Sequence, residues 1–573
     1  QDEAGNPITE PLKTAEAFNN CFSSVFMKAP TFDIDNYNFN RLINFVNTNL
    51  KTEQEFELPE ISLEFIEKEL KTLDPSKSTG VDGIGPKFLM IGYDMISKPI
   101  QYIFNVCISK SIYPAAFKMA KITHIFKNGS KSEVNNYRPI SILPVLSKVF
   151  ERHVSNHLKI FLDKNNLISN HQSGFRKFHS CETTLIHIID NWIDSINDHN
   201  VVGTVLLDLT KAFDLINHEL LLKKLECYKL SSKSVNWFSS YLTNRFQKVN
   251  ISGQFSDAKG INAGVPQGSV LGPLLFIIYI NDLPLYQQNN TNIDMFADDT
   301  TLSASGKTFS DVKSSLQEQV NITEQWCTQN AMLPNAQKTK VMYIAASHQK
   351  LKDRSEHSDS NIILNNQVLT NSKEEKLLGI KIDQTLAWKS HVDHVLKKCN
   401  SLLYLLLRIK HCLNLDSRKL FFNAYILPHL DYCSTIWGSC AKERIDKLYK
   451  FQKRAARVIL DKPYDHPSDE LFMKLNWIKI DERIIYKKAI LMYNLMHNKV
   501  PKYLSDKFVL NSNLGLRSTT NEELVVPFPN MEFFRKSFSY SGASIWNEIP
   551  LHIRQAENIN SFKRQFLQWK QNQ

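Results

Sequence analysis

The sequence predicts an α+β fold that ends in a mostly helical region, and three observations carry that reading. Residues Val201–Leu207 are apolar and β-branched with one glycine, so they form a buried strand that runs into Asp208. Ile293–Phe296 and Thr300–Leu302 are two short strand-like runs, with Asp298 and Asp299 as the turn between them. Between these lies Val265–Pro284, VPQGSVLGPLLFIIYINDLP, in which a Pro-Gln-Gly turn leads into an apolar segment. It reads as a loop entering a core helix, and its glycine lets backbone approach a ligand closely.

The chemistry follows from the carboxylates. If the two strand regions lie side by side, Asp208 and Asp298 converge on one spot. Carboxylates that close repel unless a cation sits between them, and two Mg²⁺ ions about 3.5–4 Å apart stabilise both the attacking and the leaving oxygen of an in-line displacement. The expected metal is hard and oxygen-loving. An isolated Asp-Asp pair is ordinarily a solvated turn held by local hydrogen bonds. The order of strand-Asp, Pro-Gln-Gly loop and helix, then strand-Asp-Asp-strand is far more specific than any one part.

Elsewhere the pattern is coarser. Gln1–Pro59 is polar and short of periodicity, His348–Ser360 is a polar insert, and Ile362–Leu369 is a hairpin bent at Asn365-Asn366. Trp388–Leu413 has the spacing of an amphipathic helix. With 573 residues, 42% of them hydrophobic, the chain has material for several cores. No run reaches transmembrane length, since the closest, Val270–Ile280, is short and carries Gly272-Pro273. Nine cysteines without CxxC spacing read as free thiols in a reducing compartment, and Cys433 and Cys440 beside His429 fit no structural zinc module. The start at Gln1 rather than Met reads as an internal piece of a larger polyprotein.

Charge is unevenly placed. Ala441–Gln573 holds 23 Lys and Arg against 14 Asp and Glu, a net of +9 out of the chain's +11. Clusters such as Lys453-Arg454-Arg457 and Lys563-Arg564 fall on segments with helical apolar spacing, which favours a nucleic-acid surface over a merely solvated face.

Ten ordered blocks tie these readings together: KSTGVDGI, ITHIFKNG with NNYRPISILPVLSKVFE, HQSGFRKFHSCETTL, LLDLTKAFDLINHELLLKKL, SYLTNRFQKV, GVPQGSVLGPLLFIIYINDLP, FADDTTL, KLLGIKID, LDYCSTIWG and FQKRAARVI. In this order the chain resembles the reverse transcriptases of non-long-terminal-repeat retrotransposons of the jockey type. The resemblance implies a right-hand polymerase, with residues 1–60 a linker from an upstream endonuclease, 61–200 the fingers, 201–384 a palm with an antiparallel sheet, 385–440 the thumb and 441–573 a basic helical end. KLLGIKID would be the primer-grip strand.

By the same resemblance Asp208, Asp298 and the Leu209 carbonyl would hold two Mg²⁺ ions, for which Mn²⁺ can substitute, and Asp299 would complete the acidic cluster. Phe213 falls where such polymerases place an aromatic gate against a ribose 2′-hydroxyl. Gln267 and Gly268 would border the nascent base pair, Lys127 and Arg138 would clamp the triphosphate, and Lys338 would protonate departing pyrophosphate. Two departures are visible: Cys181 stands where relatives usually have Thr, and Pro334 precedes Lys338 where relatives tend to have an aliphatic residue, so that it could bend the approach. The implied activity is RNA-directed DNA synthesis from a DNA primer or target on an RNA template with dNTPs, in the nucleus after cytoplasmic synthesis, without a membrane. Two alternatives stand beside it. One is an RNA-directed RNA polymerase, disfavoured because the position five after Asp208 is Phe213 while Asp214 follows it, and the other is a decayed nucleic-acid-binding relic.

Overall fold

The structure, a computed structural model, describes residues 8–24, 34, 37–51, 54–347, 351, 361–511 and 523–571. Its strands, in chain order, are β1 (Met119–Phe126), β2 (Tyr137–Ile142), β3 (Val201–Leu207), β4 (Arg245–Ile251), β5 (Gln254–Phe255), β6 (Lys259–Ile261), β7 (Thr291–Phe296), β8 (Asp299–Gly306), β9 (Lys340–Ile344), β10 (Ile363–Leu364), β11 (Gln367–Val368), β12 (Thr370–Asn371), β13 (Glu374–Leu377) and β14 (Ile380–Asp383). Mixed with many helices, they give the expected α+β content. The chain divides into two units: Gln1–Phe175, Asp208–Gln287 and Asn321–Asn335 form one, and Arg176–Leu207, Gln288–Val320 and Ala336–Gln573 the other.

In the first unit β1 joins β2 antiparallel and β4 parallel, and β5 and β6 both pair with β4. The stretch read as a linker holds helices Pro11–Ser23 and Asn40–Asn49. Ala15, Phe18 and Phe22, spaced three and four apart, share a core with Ala120, Ile122 and Val249 of the sheet. Asn19 fastens that helix, donating to Ser256 Oγ at 3.0 Å and accepting from Gln247 Nε2 at 2.9 Å. The run after the Pro-Gln-Gly loop is helix Gly272–Ile280, apolar all round and buried. Its entry is held by Glu151, fully buried, whose Oε2 accepts from the Val270 and Leu271 amides at 2.8 and 3.1 Å. Its exit is held by buried Lys224, which donates to the Tyr279 carbonyl at 2.6 Å and to Asp282 at 2.9 Å.

In the second unit the sheet order is β12-β9-β3-β8-β7, parallel only between β12 and β9. β3 is paired on both edges and buried on both faces, the reason its run is apolar except at Gly203 and at Thr204, whose Oγ1 donates to the Leu302 carbonyl at 3.0 Å. Its one glycine is steric: a Cβ on Gly203 would stand 2.6 Å from both Val312 and Leu316 of helix Phe309–Gln329. The Asn365-Asn366 hairpin forms as expected, with both residues at positive φ. KLLGIKID departs from expectation. It is a hairpin, β13 against β14, because Leu378 and Gly379 both take positive φ, at 43° and 90°, and turn the chain. The insert His348–Ser360 lies, apart from Leu351, outside the described residues.

Helix Lys389–Ile409 starts one residue later than expected and ends four earlier. The basic end is built into this unit's core: Leu448, Phe451 and Ala455 of helix Lys442–Leu460 and Trp546 of helix Phe538–Glu548 belong to one apolar cluster with Ile189 and Trp192 of helix Cys181–Asn197 and with Val202 of β3. Buried Asp190 fixes the contact by accepting from the Phe538 and Ser539 amides, each at 2.8 Å. Among the described residues no helix is long and apolar enough to cross a membrane.

Candidate active site

β3 ends at Leu207, opposite Thr300 of β8, and Asp208 is the next residue of the chain. Two residues before Thr300 is Asp298, in the turn that joins β7 to β8. The register pairs Phe296 with Asp299, so the turn is Ala297-Asp298 and Asp299 is the first residue of the strand, where the sequence had suggested an Asp298-Asp299 turn. Ala297 is buried with φ of 56°, a conformation that costs a residue with a Cβ and that holds a two-residue hairpin tight. Asp298 is half-buried and Asp299 exposed. Buried Asp294 of β7 meets His187 Nε2 of helix Cys181–Asn197 at 3.4 Å, which ties the hairpin's first strand to that helix.

In the first unit the chain after Asp208 pairs with Leu333–Asn335. Thr210 donates to the Leu333 carbonyl and Asn335 to the Asp208 carbonyl, both at 2.8 Å, with Pro334 facing Leu209 in an antiparallel bridge. This answers the expected bend at Pro334: the bridge uses the groups on either side of the proline, so its missing N–H costs nothing. The Leu209 carbonyl stands outside that pair of bonds.

Phe213 is half-buried, stacks on Phe276 at 4.2 Å with planes 19° apart, and meets Phe175 edge-on at 6.4 Å. Its carbonyl accepts from Val265 at 3.0 Å, and Gly264 donates to Ile216 at 2.8 Å. Gly264 has no room for a side chain, since a Cβ would lie 2.7 Å from the Asp214 carbonyl oxygen. The Phe213 segment and the Pro-Gln-Gly loop are thus one hydrogen-bonded piece. Gln267 Nε2 donates to Asp214 Oδ1 at 2.8 Å, and desolvation raises the Asp214 carboxyl above its ordinary value against that bond. The Gln267 carbonyl accepts from Ser141 of β2 at 2.7 Å. At Gly268, φ is 124° and a Cβ would come within 2.5 Å of the Ser141 carbonyl oxygen, so the glycine permits close approach to β2.

Arg138 lies on β2 opposite Ile125 and is exposed. Lys127 follows the end of β1, is exposed, and donates its amide to the Asn136 carbonyl at 2.8 Å. Lys338 is exposed in a turn two residues before β9. The first unit therefore gathers Phe213, Gln267, Gly268 and the strand of Arg138. Asp298, Asp299 and Lys338 lie in the second unit. Among the described residues no group of three or more His, Cys, Asp or Glu is arranged to hold a metal ion.

Sequence reasoning missed Glu151 and the positioning role of Asp214. A lone Glu in a helix carries no pattern, and Asp214 could have been singled out only by its place beside Phe213.

Comparison with known proteins finds a matching family and several relatives. The family described as reverse transcriptase (RNA-dependent DNA polymerase) matches residues 125–382, which include both Asp-bearing segments and the Pro-Gln-Gly loop. The probable RNA-directed DNA polymerase from transposon BS of Drosophila melanogaster is 29% identical over 83% of this chain and 53% of its own length. The RNA-directed DNA polymerase from mobile element jockey of the same species is 26% identical over 83% of this chain and 53% of its own length, and its Drosophila funebris counterpart 26% over 77% and 48%. The chain spans about half the length of these curated relatives. Residues 125–382 thus match the reverse transcriptase family, and over most of its length the chain is similar to the RNA-directed DNA polymerases of these Drosophila transposable elements.

Proposed function

We propose that the chain is an RNA-directed DNA polymerase that extends a DNA 3′-hydroxyl on an RNA template with dNTPs, acting in the nucleus as part of non-LTR retrotransposition. The single observation that carries this reading is the β3–β8 register, which ends the strand leading to Asp208 opposite the residue that follows Asp298-Asp299. In this reading residues 61–200 are fingers, 201–384 palm and 385–440 thumb. The carboxylates of Asp208 and Asp298 and the Leu209 carbonyl would supply oxygen donors, the kind a hard divalent cation such as Mg²⁺ or Mn²⁺ takes. Two such ions, when bound, would neutralise the charge around the reacting phosphate.

The protein's own residues do the rest. Arg138 and Lys127 meet the triphosphate from solvent-exposed positions, Arg with a fork that matches phosphate oxygens. Phe213 is held at its backbone by Val265 and at its ring by Phe276, rigid enough to exclude a 2′-hydroxyl by contact. Lys338, exposed, is the proposed proton donor to pyrophosphate. An RNA polymerase would need a carboxylate free to receive the ribose hydroxyl. Asp214 already accepts from Gln267, which favours deoxynucleotides.

The test is primer extension on an RNA template with Asp208→Ala and Asp298→Ala. Each variant should lose at least about a thousandfold in rate, as expected when charge stabilisation of the transition state is removed, while primer-template binding stays near that of the parent. Extension retained in either variant would falsify the assignment.

A further inference from the structure

Outside the residues matched by the reverse transcriptase family, helices of the basic end, with Phe422, Asn423 and Leu427 of the preceding segment, line a cavity of about 690 Å³, within the range of ligand pockets. Its walls hold three aromatic rings, Phe422, Trp477 and Tyr486, two arginines, Arg483 and Arg564, and Gln452, and among the described residues no Asp or Glu side chain lines it. Phe422 is buried and packs against Trp477 at 4.4 Å, so Trp477 and Tyr486, both half-buried, are the rings with surface to offer. Arg483 is fixed by a fork onto Asp431, Nε and Nη2 donating at 2.6 and 2.7 Å, which leaves Nη1 outside the pair. Arg564 is exposed.

Gln452 is the telling residue. It is 5% exposed, its Nε2 donates to the Ile478 carbonyl at 2.8 Å, and its Oε1 is buried with no hydrogen-bond partner. That orientation follows from the Ile478 carbonyl, which can only accept. A buried orphan acceptor is costly unless a donor reaches it. Flat rings for stacking, an unmet carbonyl and guanidinium groups suit one class of ligand: a nucleotide, whose base stacks and offers ring or amino N–H and whose phosphate meets arginine. Lys453 and Arg454 follow Gln452 in its helix and Lys563 precedes Arg564, so cations continue from the cavity walls along the chain.

We propose that this cavity binds a nucleotide of a single-stranded RNA, a second nucleic-acid site separate from the polymerase residues; it deepens the reading of the chain as an RNA-templated enzyme and rests on it. The test uses the full chain, a fluorescent A12 RNA, AMP as the mononucleotide, and the variants Arg564→Gln and Gln452→Leu. Each variant should weaken A12 binding roughly three- to tenfold, with extension of a saturating, pre-annealed primer-template unchanged; Arg564→Gln should keep the parent's melting temperature, while Gln452→Leu, which leaves the Ile478 carbonyl without its donor, should lower it. A 12-mer carrying 4-thiouridine should crosslink to peptides containing Trp477 or Tyr486. Crosslinks that map elsewhere, or equal A12 affinity in all three proteins, overturn the proposal. If AMP is held and A12 is not, the strand is refuted as the source and the cavity takes free nucleotides. The polymerase reading stands or falls by extension alone, so the two failures are distinguishable.

Discussion

The two five-stranded sheets are built on opposite plans. In the second unit β3 has a partner on each edge and only Leu206 escapes full burial, so the strand is rigid to the point where the chain reaches Asp208. In the first unit β1 alternates between buried and half-buried positions and is open by Ile125 and Phe126, while β2 exposes Arg138. A sheet covered on both faces sets a carboxylate at a fixed spot, which suits a charge that must not move. A sheet open at one end leaves a long cation such as Arg138 in water, at little cost in buried charge.

This contrast can be broken most forcefully at Asp190. Replacing it with Ala leaves the Phe538 and Ser539 amides without their acceptor, and we expect a loss of about 3 kcal/mol from two buried unsatisfied donors. The check is chemical denaturation of the full chain. A loss under about 1 kcal/mol would mean that the basic end is merely apposed to helix Cys181–Asn197.

A paired substitution sharpens the comparison next. Gly203→Val should cost about 2 kcal/mol by overpacking against Val312 and Leu316. Arg138→Gln should leave stability within about 0.5 kcal/mol and raise the KM for dNTP roughly tenfold through one lost charge-assisted contact. If Arg138→Gln lowers the melting temperature as much as Gly203→Val, the open sheet is structural and the proposed triphosphate role falls.

The smallest effect concerns pH. Burial lowers the Lys488 ammonium from 10.5 to about 8, with Asp190 opposing the shift, and its Nζ donates to Ser541 Oγ at 2.8 Å. The unfolded chain therefore binds this proton more tightly than the folded one. The penalty is complete below about pH 8 and is relieved as pH rises toward 10.5. Relative to Lys488→Met, the parent should gain about 1 kcal/mol of stability between pH 8 and 9.5, read by urea unfolding at the two values. A difference that stays flat or reverses would show that Lys488 is solvated.

What was legible in the sequence was what repeats at short range. Val201–Leu207 reads as a strand because burial on both faces favours apolar and β-branched residues, the one buried hydroxyl, on Thr204, being met by the Leu302 carbonyl, and Asn365-Asn366 reads as a turn because two positive φ angles favour Asn. KLLGIKID misled because Leu378 at positive φ looks like any strand leucine. Helix Pro11–Ser23 was missed because its apolar stripe, Ala15, Phe18 and Phe22, is sparse in a polar segment and gains meaning only against Val249. Of the candidate site residues, Gln267 and Gly268 stand in a turn legible from pattern, and Phe213 was named by the family resemblance. The bond from Gln267 to Asp214, which joins their two segments, was not visible, because it spans 53 residues.

Carboxylates beside strand-forming runs and a Pro-Gln-Gly turn can be read without the fold, since they are local signals imposed by backbone geometry. The sequence by itself also determined the excess of positive charge after residue 440, +9 of +11, which is a matter of counting. That this basic end shares a core with helix Cys181–Asn197, and that Glu151 holds the entry to helix Gly272–Ile280, follows from the fold. It alone decided that Gly268 faces the Ser141 carbonyl and that Pro334 sits harmlessly in a bridge to Leu209. Each of these depends on groups far apart in the chain meeting within about 3 Å, and the sequence records which groups are present while the fold decides which of them meet.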